Sequence, residues 1–198
     1  MELREPYRTF VHDIHGMIRL SESDFDLFRR HRTFFTENGS ALVEAIASVL
    51  GEHAPSREVF DSGRGDLESL GCRLSAWLGE IPEAHDTPEF WHRQFVIGVE
   101  HIVRRIPNRQ MVGLATRIRE LVLPMMLDAL GPDEGLALYL AFQRLLDSVV
   151  ALTTTLVDEG QNQCLLEATG FTQRLADNLR GLVFRRIRDE LLAADEPA

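Results

Sequence analysis

Residues 97–113, with the sequence IGVEHIVRRIPNRQMVG, are the most informative part of this 198-residue chain. Their apolar positions recur at helical spacing until Pro107, where a proline is expected to end the helix. His101 shares one face of this helix with Gly98 and Ile97, three and four residues earlier. Because glycine has no side chain, a flat ligand could approach the backbone closely at Gly98. The segment therefore predicts a helix that carries one histidine in apolar surroundings.

Two interpretations of His101 follow from its residue type and its neighbours. A ring nitrogen could ligate the iron of a haem, since an axial histidine is a common way for a protein to hold that cofactor. The histidine could equally lie in the core and bond to a backbone carbonyl. Position alone favours the second interpretation, because a single residue is a weak signal.

Apolar residues recur at helical spacing through almost the whole chain, and the alternation typical of strands is missing. Ser21 is predicted to cap a first helix that carries the apolar residues up to Phe35, and Ser40 is predicted to cap a second helix ending near Gly51. The later helices are predicted over about 66–81, 89–106, 109–130, 134–159 and 171–192. Helices of such different lengths suit a globin-like assembly better than a regular bundle.

Composition and motifs narrow the class of function. The net charge is −10 and all 21 basic residues are arginines, so neither nucleic acid nor an anionic membrane surface is an expected partner. Cys72 and Cys164 lie far apart in a chain that shows no export signal, and we expect reduced thiols in the cytoplasm. No apolar stretch is long enough to span a bilayer. Nucleophile-elbow, P-loop and dinucleotide motifs are missing, and an enzyme is therefore the less favoured class.

The segment 97–113 resembles the proximal helix and following corner of the globin-coupled sensors and protoglobins. That family shows Ile-Gly-x-x-His, a proline six residues after the histidine, and then an arginine and a glycine, which correspond to Arg109 and Gly113 here. Residues 20–29 and 55–60 resemble the family's first helices, and the resemblance extends over about residues 15–165. It implies His101 as the proximal ligand of a haem b iron that binds a diatomic gas (O2, CO or NO).

The resemblance also implies an architecture and a set of pocket residues. The fold is expected to be all-α and globin-like, with an N-terminal extension and an extra C-terminal helix. The haem domain is expected over 1–165 and a helical extension over 166–198. Besides His101, the residues expected around the haem are Ile46, Ala47, Leu70, Arg73, Leu74, Trp77, Ile97, Gly98, Arg109, Met111 and Val112. Arg73 could reach a bound ligand or a haem propionate, although a solvated arginine is the commoner state. Arg109 is the better candidate for a propionate.

Three departures from the family pattern concern the strength of gas binding. Members that hold oxygen usually carry a Phe-Tyr pair where this chain has Ile46-Ala47, so the expected tyrosine donor is missing. Gln110-Met111 replaces a Trp-Tyr pair, and Arg104-Arg105 replaces an Ile-Gly pair. Distal polarity selects the favoured ligand. These changes therefore weaken the expectation of tight oxygen binding more than the expectation of haem binding.

Three functions stay open from the sequence. The first is a haem globin that senses or handles a gas. The second is a haem-free regulatory module of the same fold that acts through protein contacts. The third is a haem enzyme, for which Arg73 would be the polar assistant. Any signalling output would need a partner protein, since only about 30 residues follow Gly170.

A homodimer is predicted from the two long helices, 109–130 and 134–159. Apolar residues nearly encircle the second of these helices, and such a helix must bury both sides. The resembled family forms a two-fold contact through the corresponding helices. The alternative is that the apolar residues of the helix 171–192 fold back and cover this surface within one chain.

Overall fold

A computed structural model describes residues 5–54, 57 and 67–194, which form eight α-helices and no strand. The helices are α1 (Glu5–Ile18), α2 (Glu22–Arg30), α3 (Arg32–Glu52), α4 (Leu67–Glu80), α5 (Pro88–Val103), α6 (Asn108–Leu130), α7 (Pro132–Thr169) and α8 (Gln173–Ala194). A short 3-10 turn, Ile81–Glu83, lies between α4 and α5. The prediction of an all-α fold is confirmed. Of the segment 55–60 only Arg57 is among the described residues.

The chain divides into two compact units, Met1–Leu156 and Val157–Ala198. The first contains α1 to α6 and most of α7. The second contains the end of α7 and the whole of α8. The boundary expected from the sequence, between residues 165 and 166, lies inside α7.

Aromatic side chains dominate the core of the first unit. Phe25 on α2 lies 5.8 Å from Phe28 and 5.4 Å from Phe90 of α5, measured between ring centroids, and both pairs meet edge to face. Phe28 meets Phe35 of α3 in the same way, and Phe35 lies near Phe142 of α7. Such pairs add about 0.5–1.5 kcal/mol each beyond the burial of their area. This cluster joins α2, α3, α5 and α7.

Two predicted helix boundaries are wrong. The chain turns at His31, whose Nε2 lies 2.9 Å from the Glu134 carboxylate of α7, and α3 then begins at Arg32. Ser40 is thus an exposed residue inside α3 rather than its cap. A residue in the middle of a helix has no unpaired first-turn amides beside it, so there is none for Ser40 to cap. The helix predicted to end at residue 159 continues to Thr169, just before Gly170 at a φ of +68°, a conformation that favours glycine and ends helices.

An ion pair fastens α2 to α7. The Asp24 carboxylate is buried, accepts a hydrogen bond from the Ser21 backbone N–H at 3.0 Å, and also accepts from the Arg144 guanidinium of α7. The Asp24 carboxylate thereby caps the start of α2 and neutralises the charge of Arg144, a residue distant in the sequence. Ser21 with Asp24 three residues later forms a capping box, and the ion pair with Arg144 adds a contact between helices.

The expectation that no apolar stretch is long enough to span a bilayer is corrected for α7, which is long and apolar enough to cross a membrane by the criteria of length and composition. Half of its most apolar window is buried inside the protein, and a core helix passes the same test.

The N-terminal helix α1 docks through a histidine. His15 Nδ1 lies 3.5 Å from Asp86 Oδ2, and the imidazole ring is 4.9 Å from the ring of Trp91 on α5. Trp91 Nε1 donates to the other Asp86 oxygen at 2.7 Å. Burial lowers the pKa of His15, the Asp86 charge acts in the opposite direction, and His12 adds to the lowering.

This contact is expected to make stability depend on pH. The folded pKa of His15 lies below its unfolded value of about 6.5. The unfolded chain therefore binds more protons under mildly acidic conditions. The contribution of His15 is fully present above about pH 6.5 and is lost as the pH falls through the folded pKa. Denaturant unfolding from about pH 7.5 to 5.5 should show a shallower loss of free energy in His15→Gln than in the wild type. His53→Gln, at an exposed histidine after α3, is the control. Parallel pH profiles for His15→Gln and the wild type would contradict this role.

Candidate functional site

Helix α5 presents His101 in its last turn. The helix begins with Pro88, and the Thr87 hydroxyl accepts a hydrogen bond from the Phe90 backbone N–H at 3.3 Å. Proline suits the first helical position because the N–H it lacks would have no partner there. Arg104 ends the helix three residues after His101. The predicted helix is confirmed. Because it begins at Pro88 and ends at Val103, His101 lies in its last turn.

The imidazole of His101 is oriented by its own helix. His101 Nδ1 lies 2.7 Å from the Ile97 carbonyl oxygen. A carbonyl only accepts, so Nδ1 carries the proton and donates it. In the neutral ring the lone pair is then on Nε2. Histidines that ligate metals usually donate their other ring N–H in this manner. The carbonyl bond, considered from the sequence as an alternative to ligation, is thus compatible with it.

The surroundings of His101 favour the neutral ring. Burial lowers the pKa of His101, and the hydrogen bond to the Ile97 carbonyl acts in the opposite direction. The positive charges of Arg73 and Arg104 lower the pKa further, while Glu100 raises it. Arg73 belongs to α4, so the fold brings two predicted site residues from different helices within electrostatic reach of each other. A neutral imidazole is the form that binds a metal.

A buried polar pair links α4 to α5 and was not predicted from the sequence. Trp77 Nε1 donates to Gln94 Oε1 at 3.0 Å, and Gln94 is completely buried. Indole is only a donor, so this bond fixes the orientation of the amide and leaves Gln94 Nε2 without a partner. Gln94 precedes His101 by two helical turns and lies on the same face. The sequence offers one signal for the burial of Gln94, which is its position among the apolar residues of α5.

The unpaired Nε2 of Gln94 is relevant to whether a bound group fits the site around His101. An unpaired buried N–H costs about 1–3 kcal/mol, and a bound acceptor or an ordered water removes that cost. His101 supplies a neutral nitrogen ligand, and the apolar residues of α4 and α5 supply the surroundings that a haem needs. The side chains present are therefore compatible with a haem held through His101.

Gly98 lies where α5 passes close to α7. A Cβ atom at this position would lie 2.9 Å from Leu156 Cδ1 and 3.3 Å from Thr153 Oγ1, both on α7. The missing side chain lets α5 approach α7 closely. The neighbours at this position are side chains of α7, and a contact of Gly98 with a flat ligand stays a prediction.

The other predicted pocket residues differ widely in burial. Ile46 is buried, and Ala47, Leu74, Trp77, Ile97 and Met111 are half-buried. Arg73, Arg109 and Val112 are exposed. The side chain of Leu70 lies outside the part of the chain that the structure describes. Ile46 and Leu74 contribute to the core of the first unit, as an apolar distal wall would.

The helical assembly and the position of its oriented histidine define a globin-type protein. A family model described as Protoglobin matches residues 9–157, and the chain belongs to the protoglobin family. The structure is similar to the globin domain of a Geobacter sulfurreducens globin-coupled sensor, with a TM-score of 0.64 and 16% sequence identity. That match covers 72% of this chain and 94% of the other. No curated protein matches the sequence. The structural likeness shows the shared fold.

Proposed function

We propose that this chain is a sensor globin that binds a diatomic gas at a haem b held by His101. The observation that carries the proposal is the 2.7 Å bond from His101 Nδ1 to the Ile97 carbonyl, which leaves Nε2 available on a ring that burial keeps neutral. The haem supplies an iron centre at which O2, CO or NO can bind. The family match over residues 9–157 supports the proposal, and the proposed haem domain is residues 1–165.

The other residues of the site take supporting roles in this proposal. Ile46 and Leu74 exclude water, since both pack in the apolar core. Arg73, whose charge reaches His101, is the candidate for a contact with the bound gas or a propionate. Arg109 is exposed at the start of α6 and is the second propionate candidate. Gln94 holds α5 at a fixed position against Trp77 of α4.

The visible spectrum of the purified full chain tests the proposal. Bound haem gives a strong absorption band, whereas the haem-free regulatory module would be colourless. If the protein is purified without colour, a titration with hemin decides between loss of the cofactor and absence of a site. Saturation at one hemin per chain supports the haem globin. No saturable binding supports the regulatory module.

Oxygen is expected to be held loosely, or lost as the iron oxidises, while carbon monoxide still binds. A neutral hydrogen-bond donor to a bound ligand contributes about 0.5–1.5 kcal/mol, and Ala47 offers none where the family usually has tyrosine. Carbon monoxide depends less on such a donor. Ala47→Tyr should therefore slow oxygen release by about 2- to 10-fold and change carbon monoxide release much less. Stopped-flow measurement of both off-rates checks this.

Arg73→Leu is the control for a substitute donor. Unchanged oxygen release in Arg73→Leu leaves the apolar distal wall as the cause of loose binding. A slow oxygen off-rate in the wild type that becomes fast in Arg73→Leu would make Arg73 the distal donor. Slow release in both proteins would contradict the prediction.

The expected partners follow from the same proposal. The net charge of −10 supports the prediction of no nucleic-acid partner, and the cytoplasmic location stays a prediction. The proposed homodimer through 109–130 and 134–159 is supported by Leu136 and Leu140, which are exposed on α7. Eight other apolar side chains of α7, between Leu138 and Leu156, are buried. A downstream signalling partner stays a prediction as well.

A further inference from the structure

The surface that receives α1 is held in place by α2 and α5. Asp86, in the connection before α5, accepts a hydrogen bond from Trp91 Nε1 at 2.7 Å. The Asp86 backbone N–H donates to Glu22 Oε2 of α2 at 3.0 Å. The two groups that face His15 are therefore bonded to each other and to α2, and these bonds do not involve α1.

His15 presents one ring nitrogen to this surface and buries the other. Nδ1 faces Asp86 Oδ2 at 3.5 Å, and the ring lies against Trp91. A carboxylate only accepts, so in the neutral ring Nδ1 carries the proton and Nε2 has a lone pair. Nε2 is buried and has no hydrogen-bond partner among the described residues. A second proton would turn Nε2 into a buried, charged donor without an acceptor, which is a costly state.

The charged groups near His15 offset this cost only in part. Burial, the largest effect, lowers the pKa of docked His15, Asp86 raises it, and His12 on α1 lowers it again. The contact from α5 is Trp91, which carries no titratable group. The pKa of the docked imidazole therefore lies below the value of about 6.5 that a released α1 would restore.

The bond between Glu22 and Asp86 persists at the pH where His15 gains its proton. Burial raises the pKa of Glu22, but hydrogen bonds from the Asp86 backbone, Arg29 and His85 outweigh this effect, and the net pKa lies below its ordinary value. Glu22 therefore stays charged between about pH 5 and 6.5. Mild acid weakens the contact of α1 and leaves the surface beneath it intact.

Few contacts besides His15 hold α1. Among the described side chains of this helix Ile14 is the buried one, while Val11, His15 and Ile18 are half-buried. An element with so little burial opens at a lower free energy than the core. A change at one contact can therefore shift the docking equilibrium of α1 without unfolding the other helices.

We propose that the His15 contact is an acid-sensitive switch, in which protonation of the imidazole releases α1 while the rest of the first unit stays folded. Because a single proton is taken up, the ratio of released to docked α1 changes at most about tenfold per pH unit. Docking is strongest above about pH 6.5 and weakens as the pH falls toward the docked pKa. Release uncovers Trp91 at the start of α5, the helix that carries His101 in its last turn. The inference does not depend on haem binding.

Hydrogen exchange of the full chain, followed by mass spectrometry from pH 7.5 to 5.5, tests the proposal. With each rate corrected for intrinsic exchange, the protection of α1 amides should fall by about 3- to 10-fold over this range. Amides of α2 and α7 should keep their protection. His15→Gln should make the protection of α1 independent of pH. His53→Gln, at an exposed histidine after α3, should behave as the wild type.

Asp86→Asn separates a switch from a merely structural contact. Asparagine keeps an oxygen that can accept from Trp91 and loses the charge that attracts the protonated ring. The fall in α1 protection between pH 7.5 and 5.5 should therefore be up to about threefold greater than in the wild type. A structural contact would instead lose the same factor at every pH. The proposal is overturned if α1, α2 and α7 lose protection together, if α1 protection does not change with pH, or if His15→Gln keeps the pH dependence.

Discussion

His101→Ala is expected to weaken haem retention by at least about 100-fold, because loss of a single outer-shell partner already costs a metal site about 10- to 100-fold. The Ile97 carbonyl orients the imidazole and burial favours its neutral form, so His101→Ala removes a nitrogen that is positioned and deprotonated for ligation. The measurement is the visible spectrum of purified His101→Ala and its titration with hemin. The same protein should keep its helical circular dichroism, since His101 is only partly buried.

The control for this prediction lies on the same helix. His92 precedes His101 by nine residues and therefore faces the opposite side of α5. His92→Ala should retain haem as the wild type does. His101→Gly supplies a second test, because added imidazole could occupy the vacated space and restore the spectrum. A His101→Ala protein with an unchanged haem spectrum would disprove ligation by this residue.

Most of the helices are predictable from the sequence because local signals coincide with tertiary packing. Ser21, Thr87 and Pro88 lie at helix starts, and Gly131 ends α6 with a φ of +80°. The break at His31 has no such local signal. The imidazole of His31 contacts Glu134, a residue more than 100 positions further along the chain, and this contact exists only in the folded chain.

The candidate site is predictable only in part for a similar reason. His101 belongs to a compact spacing pattern, so its helix and its position in the last turn follow from sequence. Gln94 and Trp77 meet only after α4 and α5 have packed together, and a glutamine in a helix gives no indication of burial by itself. The close approach of α7 to Gly98 likewise cannot be predicted from the sequence, because α5 and α7 are distant in the chain.

Arg105, in the corner between α5 and α6, has a backbone conformation that glycine favours. Its φ is +56°, in the left-handed region. An arginine there costs about 1 kcal/mol. The corner is therefore formed at some cost in stability.

Gly135→Ala is expected to destabilise the fold by about 3 kcal/mol. Gly135 is buried in the first turn of α7, where this helix passes the end of α6. A Cβ atom would lie 2.6 Å from the Met126 carbonyl oxygen and 2.9 Å from Leu127 Cα. Both are backbone atoms of α6, so neither can move away by a side-chain rotation. Relief requires a shift of one helix against the other, which also disturbs the buried Met126 and Leu138.

Alanine substitutions at two other glycines test whether the loss of stability in Gly135→Ala comes from the clash with α6. Gly39 lies inside α3, and an alanine methyl group there would have no neighbouring side chain or helix within 4 Å. Gly39→Ala should therefore stabilise the protein by up to about 1 kcal/mol through helix propensity. At Gly98 the nearest atom is the flexible Leu156 Cδ1, so Gly98→Ala should fall between the two. Denaturant unfolding of the three variants should give the order Gly39→Ala, Gly98→Ala, Gly135→Ala from most to least stable. If Gly135→Ala unfolds at the wild-type midpoint, α6 and α7 are not in backbone contact at this turn.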